Sequence, residues 1–531
     1  MELIRANVNI IVIISVLVGL VRSLACSIYK YGKMGCDIPG LLSGIIVTAI
    51  FLVIFYVAID CFIHRKNNKL HLSFTRYIYM FFIILCSYII CFLVYFPGVG
   101  MNDGLNILRE GMGIISQFPV FYVAYITVLR MIGYHFGGLQ IAIALYTIIQ
   151  VLILSVIITF ILHWIINNNF PKALKVVSFL YFAFLPIICM YTISMIKDTV
   201  FSLLLVAMMI FLYEIVENNQ LTHKRSFWLA FCFLIIGITC LRNNGKYILA
   251  PLLVIMFIAY KEFRKEIVRC LCVFVVCIVM TNIAMHIYHA EEQFQEVVGI
   301  PLQQVCAVVR EDGDYKTSDK EEIERWMSVK DIQAYSDPYT VDPIKWNPDG
   351  KFNREYFNTH KKEFIKLWFS LLPSNLGLYT KAYLQSTYWF WAPVQSGKVQ
   401  CLFTIENIAN NTWLIEFLKE NHIHDNPLLP AFISENLKRY YLLGEYFFRE
   451  GILAWIMIIS MIVSMKYYKK AFIIYAPCIL LWLTIMISTP ASFSLRYVFV
   501  FVYGLPIFIL LPYLFIKKTY IESESSPTLN I

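Results

Sequence analysis

Hydrophobic runs long enough to cross a lipid bilayer recur along the whole chain and alternate with short polar segments. This pattern predicts an all-α polytopic transmembrane bundle of about 12 spans. Composition agrees with this class, because 59% of the residues are hydrophobic and only 15% are charged, whereas soluble chains are about half apolar and a quarter charged. The runs lie near residues 8–25, 39–63, 77–95, 140–163, 176–192, 194–216, 227–241, 247–260, 270–288, 450–465, 471–488 and 497–516.

Basic segments between the runs indicate the orientation. Lys and Arg are enriched in the cytoplasmic loops of membrane proteins, so we expect a multi-pass protein of the cell membrane with both termini in the cytoplasm. The same rule accounts for the net charge of +9 without a nucleic-acid partner. The six basic segments are 64–66 with Lys69 and Arg76, Lys172 with Lys175, 223–225, 261–269, 466–470 and 517–518.

Parity identifies one run that does not cross the membrane. Three hydrophobic runs lie between the first and second basic segments, yet two cytoplasmic loops must be joined by an even number of crossings. The run 118–134 is the best candidate, because Arg130 interrupts it and Pro119 and Gly133 bound it. We interpret it as an interfacial or re-entrant helix.

A long segment, residues 289–449, is predicted to be an extracytoplasmic insertion. It is polar from Glu291 to Lys362 and then rich in Trp and Tyr as far as Trp391. Such aromatic density is typical of a helix in the lipid headgroup region, so the insertion is expected to be helical and interfacial. The predicted domains are a transmembrane bundle at 1–288 with an acidic exterior loop at 96–118, the insertion at 289–449, transmembrane helices at 450–516 and a cytoplasmic tail at 517–531.

The exterior loop contains the first candidate for chemistry. Asp103 follows a Pro-Gly turn, and its carboxylate is a candidate general base or metal anchor next to the membrane. The alternative is a turn or helix-capping role, which Asp fills equally well. The neighbouring residue is Asn102, so Glu110 is the candidate for a second carboxylate.

Cationic residues are predicted on the same outer side. The segment 242–246, Arg-Asn-Asn-Gly-Lys, joins two short runs, and a tight turn with left-handed Asn-Gly is one explanation. That turn does not explain two cations on the side that the positive-inside rule disfavours. Arg binds phosphate through a planar fork, which makes Arg242 and Lys246 candidates for an anionic, lipid-borne substrate, with Asn244 in support.

Further polar residues lie near other ends of the predicted spans. Lys197 and Asp198 open a long hydrophobic run and are candidates for the same outer site. The alternative is an ion pair at the membrane interface, with no role in binding. Arg496 precedes the last run and could simply mark the interface. Gln303 and Gln304 have amides suited to sugar hydroxyls, although they could equally be a solvated helix start.

The order of these motifs resembles bacterial multi-span proteins grouped with the GT-C glycosyltransferase superfamily. The shared pattern is an exterior Pro-Gly-x(4)-Asp loop, a Lys-Asp pair opening a span, Arg-x-Asn-Gly between two spans, Gln-Gln followed by Tyr335-x(6)-Asp342-Pro343-Ile344-Lys345, and an Arg-Tyr pair before the last helix. The resemblance covers most of the chain from Tyr95 to Leu511. It implies a GT-C-like fold with an outer active site that transfers a sugar from a polyprenyl-phosphate donor, usually with inversion.

The resemblance also implies roles for individual residues. Asp103 corresponds to the acidic residue that acts as base or organises the site, and arginines that bind the carrier phosphate fall on Arg242 and Arg496, with Lys246 and Lys197 in support. Two departures are Phe118-Pro119 where His-Pro is common, and Asn102 in place of one carboxylate of the metal-using members. The resemblance thus leaves a divalent cation open and implies no certain cofactor.

The sequence therefore predicts an extracytoplasmic glycosyltransferase. Its expected partners are a polyprenyl-phosphate-linked sugar, a cell-surface polysaccharide or glycolipid acceptor, and membrane lipids. One rival is an O-antigen or capsule polymerase or ligase, which would hold a diphosphate through arginines and would not need Asp103. The other is a lipid-linked sugar transporter or flippase, which would need charges deep along a path, whereas the central positions of these runs are largely apolar.

Overall fold

The computed structural model describes residues 2–63, 73–114, 118–288, 290, 293–347, 349–394, 412–488, 492 and 494–525. Most of the described residues are helical, with no β-strand among them beyond one isolated bridge between Val99 and Ser194. Helices are the expected solution for apolar segments, because in hydrocarbon each backbone N–H and C=O must be satisfied within its own segment. The all-helical class predicted from the sequence is confirmed.

Within the described part of the chain, nine helices are long and apolar enough to cross a membrane, or ten if a bent pair forms one span. The bent pair is Lys172–Phe184 and Pro186–Thr192, which meet at 47° because Pro186 cannot continue the hydrogen-bond ladder. The nine are Val8–Tyr31, Ile38–Ile63, Phe74–Val94, Leu139–Asn167, Lys197–Val216, Lys261–Ile287, Glu450–Tyr467, Lys469–Ser488 and Leu495–Glu522. These properties are those of a multi-pass membrane protein.

Three further apolar helices are shorter: Val120–Phe136, Arg225–Leu241 and Gly245–Ala259. The last two coincide with predicted runs and have 17 and 15 residues. At the helical rise they are roughly 25 and 22 Å long, against about 30 Å of hydrocarbon. The figure of 12 spans therefore stays a prediction. Val120–Phe136 occupies the run interpreted as interfacial or re-entrant, and that placement also stays a prediction.

The predicted basic segments converge on one end of the bundle, which we call the basic face. The first of them, 64–66 with Lys69, lies outside the described residues. The start of the described chain reaches this face, and so does the final helix near its end. The cytoplasmic location of this face stays a prediction. The joining contacts are Lys466 Nζ to the Ala6 carbonyl at 2.7 Å, Lys518 Nζ to Glu217 Oε2 at 2.8 Å, the Tyr468 hydroxyl to the Val216 carbonyl at 3.2 Å, Lys470 over the Tyr260 ring, and His223 against Phe263.

The first half of the insertion is a small helical unit with its own hydrophobic core. Its core packs Trp326 against Phe352, Phe357 and Phe364, with Leu302 also buried. The helices are Phe294–Val297, Gly299–Arg310, Thr317–Trp326, Val329–Tyr335, Asp342–Lys345, Arg354–Thr359, Lys361–Leu371 and Leu376–Ser386.

The aromatic segment that ends at Trp391 differs from the expectation of a helix in the headgroup region. Tyr388–Trp391 is a single turn packed against Glu450–Tyr467, and its rings are mostly buried in protein. The indole N–H groups of Trp455 and Trp482 donate to the carbonyls of Trp391 and Phe390, both at 2.9 Å. Aromatic residues with a polar group can fill a protein core and also satisfy a helix end. Composition alone does not distinguish this buried location from the lipid headgroup region.

The second half of the insertion returns to the bundle. Residues 395–411 lie outside the described part, after which the helix Thr412–Glu420 packs with Asn102–Glu110 and Val120–Phe136 in one hydrophobic cluster. The backbone N–H groups of Asn426 and Leu428 then donate to the carbonyls of Phe96 and Leu93, each at 2.8 Å. The insertion therefore covers the apolar side of the helix that carries Asp103.

Cysteine labelling tests the predicted orientation. The Lys320 side chain is 50% exposed in the insertion, and Lys265 is exposed on the helix Lys261–Ile287, near its end at the basic face. We expect Lys320→Cys to react with an impermeant maleimide in intact cells, above the background of the parent protein. Lys265→Cys should react only after lysis. The opposite pattern would reverse the predicted orientation.

Candidate functional site

The acidic exterior loop is fixed to the bundle by backbone hydrogen bonds. The Val99 N–H donates to the Ile193 carbonyl at 3.0 Å, and the Met195 N–H donates to the Val99 carbonyl at 2.8 Å. Gly98 has φ +124°, and a Cβ there would lie 2.2 Å from the Thr147 hydroxyl oxygen, so the loop requires glycine at this position. The loop is thereby held beside the segment that leads into Lys197–Val216.

Asp103 lies in the first turn of the helix Asn102–Glu110 and is bound by two cations. Its Oδ2 lies 3.2 Å from Lys197 Nζ and 3.1 Å from Arg496 Nη1. The side chains of Asp103, Lys197 and Arg496 are 19%, 10% and 18% exposed. Burial acts to raise the pKa of Asp103, but the nearby charges of Arg496 and Lys197 outweigh it and lower that pKa to about 2.

A second ion pair lies beside the first. Arg242 Nη1 is 3.1 Å from Asp198 Oδ1, and the two side chains are 8% and 2% exposed. The Tyr497 ring is shared between the two pairs, because its centroid lies 5.3 Å from the Arg242 guanidinium and 4.6 Å from that of Arg496. Arg242 Nη1 also donates to the Tyr497 carbonyl at 3.4 Å, and Arg496 donates to the Tyr497 hydroxyl.

Aromatic rings enclose the ammonium group of Lys197. Its Nζ lies 4.9 Å from the centroid of Phe118 and 5.6 Å from that of Tyr122. Phe118 is the residue that stands where the resembling proteins commonly have His. An imidazole at this position would be a further titratable group, whereas the phenyl ring offers the ammonium only its electron-rich face.

Together, Asp103, Asp198, Lys197, Arg242 and Arg496 form the cluster that we call the charged cluster. Three cationic side chains and two carboxylates give it a net charge of +1. Four segments that are separate in sequence supply these five residues, and all five lie at helix ends, with Lys197 and Asp198 at the same one. The arrangement suits an anion, because an incoming phosphate would find several donors and an uncompensated positive charge.

Other predicted residues lie outside these ion pairs. Lys246 is half-buried, with its ammonium 5.0 Å from the centroid of the Tyr247 ring. Asn102 is half-buried next to Asp103, and Asn244 caps the helix Gly245–Ala259 through its backbone carbonyl. Glu110 pairs with its neighbour Arg109, and both side chains are more than a third exposed.

The two glutamines are structural contacts within the insertion. The Gln303 amide donates to the Asp337 carbonyl at 2.6 Å, and the Gln304 amide donates to the Tyr379 carbonyl at 3.2 Å. Gln304 also accepts from the Trp368 indole at 2.8 Å. Both side chains are buried. They are therefore not a solvated helix start, and their amides are not open to sugar hydroxyls.

The segment 242–246 is not the tight turn with left-handed Asn-Gly that its sequence suggested as an alternative. Asn244 has φ −68°, and Gly245 is the first residue of a helix rather than a left-handed position. A Cβ at Gly245 would lie 2.1 Å from the Ile238 carbonyl oxygen. The glycine is required because the two short helices that flank Arg242 meet at very close range.

The divalent cation left open by the resemblance finds no ready set of ligands. Among the described residues, no three His, Cys, Asp or Glu side chains lie close enough together to hold a metal ion. The carboxylates of Asp103 and Asp198 are each paired with basic side chains instead. We therefore derive no step through a metal.

The sequence pattern identified all five residues of the charged cluster. It did not show that aromatic rings contact them. Tyr497 joins both ion pairs, and Phe118 and Tyr122 enclose Lys197. The available signal for Tyr497 was its position directly after Arg496 at the start of the last run. Nothing in the local sequence of the helix Val120–Phe136 indicated that Tyr122 would face Lys197.

The fold and the charged cluster define a polytopic helical membrane protein with paired charges gathered at helix ends. The chain belongs to a protein family of unknown function, DUF6020, whose model matches residues 116–525. No curated protein and no solved structure matches the chain. The matched segment contains Lys197, Arg242 and Arg496 and begins after Asp103.

Proposed function

We propose that this protein is an extracytoplasmic membrane glycosyltransferase that transfers a sugar from a polyprenyl-phosphate-linked donor to a cell-surface polysaccharide or glycolipid. The observation that carries the proposal is the charged cluster, in which one carboxylate is held by two cations beside a buried Arg–Asp pair. The cluster combines a proton acceptor with groups that bind phosphate. Its location at helix ends away from the basic face agrees with a substrate carried by a lipid.

The cationic residues are suited to the donor phosphate. Arg496 and Lys197 already direct donors to one oxygen of Asp103, so a phosphate entering beside that carboxylate would meet the same two groups. Arg242 supplies a guanidinium held in place by Asp198 and the Tyr497 ring. When the bond from the sugar to the phosphate breaks, the phosphate oxygen takes the electron pair, and these cations stabilise the charge that develops.

Asp103 is proposed as the general base. Its pKa of about 2 makes it a weak base in the free protein. A donor phosphate that competes for Lys197 and Arg496 would add negative charge next to Asp103 and remove its partners, and both changes raise the pKa of the carboxyl. Asp103 then takes the proton of the acceptor hydroxyl, whose oxygen attacks the anomeric carbon of the sugar. This coupling would activate the base only when donor is bound.

A binding experiment tests the phosphate site directly. The dissociation constant of a short-chain polyprenyl monophosphate is measured for the full chain in detergent. We expect Arg496→Gln to raise it by about tenfold or more, as for a lost charge-assisted hydrogen bond. Arg439→Gln is the matched control, because Arg439 is exposed on the helix Ala431–Leu442 away from the charged cluster. Equal affinities for the parent and the Arg496 variant would remove the basis of the proposal.

One observation favours the polymerase or ligase alternative. The two ion pairs of Asp103 are also what a purely structural carboxylate would form, with the role of holding Lys197 and Arg496 in position. In that case the arginines alone would bind a lipid-linked diphosphate. The two functions differ in whether turnover requires a proton acceptor at residue 103.

A further inference from the structure

A large cavity opens at the basic face, where neither the family nor the charged cluster assigns a function. Its volume is about 740 Å³, within the range of ligand-binding pockets. It lies between the ends of Leu139–Asn167, Lys197–Val216 and the last helix. Because Lys517 and Lys518 line it, the cavity is at the end of the bundle that the sequence places in the cytoplasm.

Three glutamates, Glu214, Glu217 and Glu522, line this cavity, and only two lysines, Lys517 and Lys518, line it with them. The two glutamates that bear on the ligand are Glu214 and Glu217. Glu214 accepts from the Trp164 indole at 2.8 Å and from the Asn219 amide at 2.5 Å, both of which are neutral donors. Across the described residues, no Lys, Arg or His forms an ion pair with Glu214, whose residue exposure is only 8%. Glu217, one helical turn further on, pairs through Oε2 with Lys518 at 2.8 Å. Its other oxygen is buried and has no hydrogen-bond partner in the described part of the chain.

Much of the remaining wall is aromatic or apolar, beside His163 and several asparagines. The rings of Phe160, Trp164, Phe211 and Phe515 line the cavity together with Leu514. Aromatic faces attract a cation as well as covering an apolar body. A ligand for this site therefore needs an ammonium group to complement the glutamates and a hydrophobic part to contact the rings.

The lysines add a third requirement. Lys518 is 47% exposed, and Lys517 Nζ contacts the Tyr513 hydroxyl at 3.2 Å. An anionic group on the ligand can therefore contact the lysines while the ammonium group contacts the glutamates. A phosphate joined to a primary amine through a short linker has this charge pattern, and lipid tails supply the hydrophobic part.

We propose that this cavity binds the head group of an amine-bearing phospholipid of the phosphoethanolamine class. Its ammonium donates to Glu214 and Glu217, and its phosphate lies at Lys517 and Lys518. The site is separate from the charged cluster and does not depend on the proposed glycosyl transfer. It would make the protein sensitive to the lipid composition of the leaflet at the basic face.

Calorimetric titration of the full chain in detergent with short-chain, water-soluble lipids tests the proposal. Phosphatidylethanolamine should bind about tenfold more tightly than phosphatidylcholine or phosphatidylglycerol, because only its head group has N–H donors for the carboxylates. Glu214→Gln should remove this preference. Glu262→Gln should retain it, because Glu262 is exposed on the same face and lies outside the cavity wall.

Three results would overturn the proposal: equal binding of the three lipids, an unchanged preference in Glu214→Gln, or free ethanolamine that binds as tightly as the lipid. The last result would identify a soluble amine as the ligand. If Glu214→Gln does not fold, Glu217→Gln serves as the second variant, because that side chain is 18% exposed and lies at the same wall. It too should reduce the preference for phosphatidylethanolamine.

Discussion

Asp103→Asn is expected to lower turnover by about a hundredfold or more, the scale of a lost general base, while donor affinity rises. The amide is nearly isosteric with the carboxylate but cannot take the proton of the acceptor. It also releases Lys197 and Arg496 from their shared ion pairs, so both cations become more available to the donor phosphate. A fall in kcat together with a fall in KM for the donor separates this role from a general loss of folding.

Single-turnover rates and the donor dissociation constant measure the two parts of this prediction. Asp312→Asn is the control, since Asp312 is exposed and the amide oxygen can still accept from Gln333. Thermal unfolding of both variants establishes that the comparison is between folded proteins. Normal turnover in Asp103→Asn would assign Asp103 a purely structural role and favour the polymerase or ligase alternative.

Arg242→Ala is expected to have the largest effect on stability. It leaves the Asp198 carboxylate, which is 2% exposed, without its cation in a buried environment, and removal of one member of a buried pair costs about 3–5 kcal/mol.

Arg242→Lys keeps the charge but not the planar fork. It should weaken donor binding by roughly 1–3 kcal/mol. Lys246→Ala should have a smaller effect, because Lys246 lies outside the ion pairs.

A double variant distinguishes stability from substrate binding. Arg242→Ala combined with Asp198→Asn removes the uncompensated charge, so the thermal midpoint should recover most of the loss seen in Arg242→Ala alone. Donor binding should stay weak in the double variant, because the guanidinium is still absent. Donor affinity equal to that of the parent in Arg242→Lys and in the double variant would show that Arg242 has only a structural role.

The helical class and the candidate residues could be predicted because both depend on strong local signals. Apolar runs of bilayer length have few alternatives to a helix, and charges at their ends are rare enough to be noticed. The topology predicted from the hydrophobic runs and basic segments placed Asp103, Lys197, Arg242 and Arg496 on one side, and the structure brings these four side chains and Asp198 into one cluster. Their proposed roles in sugar transfer stay predictions.

The sequence did not show which side chains contact each other in the folded protein. Asp103 alone looked like a base, yet its two cation partners come from segments 94 and 393 residues away. The same difficulty affected Gln303 and Gln304, whose amides are engaged by carbonyls and an indole of the folded insertion. Composition also could not distinguish aromatic residues that face lipid from those, such as Tyr388, that are buried against other helices.

The backbone contact between Val99 and Ser194 has a mechanical consequence. The Gln150 amide donates to the carbonyls of Thr192 and Ser194 at 2.9 and 2.6 Å, and its own oxygen accepts from the Tyr146 hydroxyl at 2.9 Å. This one side chain satisfies carbonyls that the interrupted helix leaves open and fastens the interruption to the helix Leu139–Asn167. The backbone segments that carry Asp103 and Lys197 are thus hydrogen-bonded to each other and to one long helix, and we expect them to move together. Arg242 and Arg496 come from other helices and join this unit through side-chain ion pairs, so we expect any closure around a substrate to move them rather than Asp103 and Lys197.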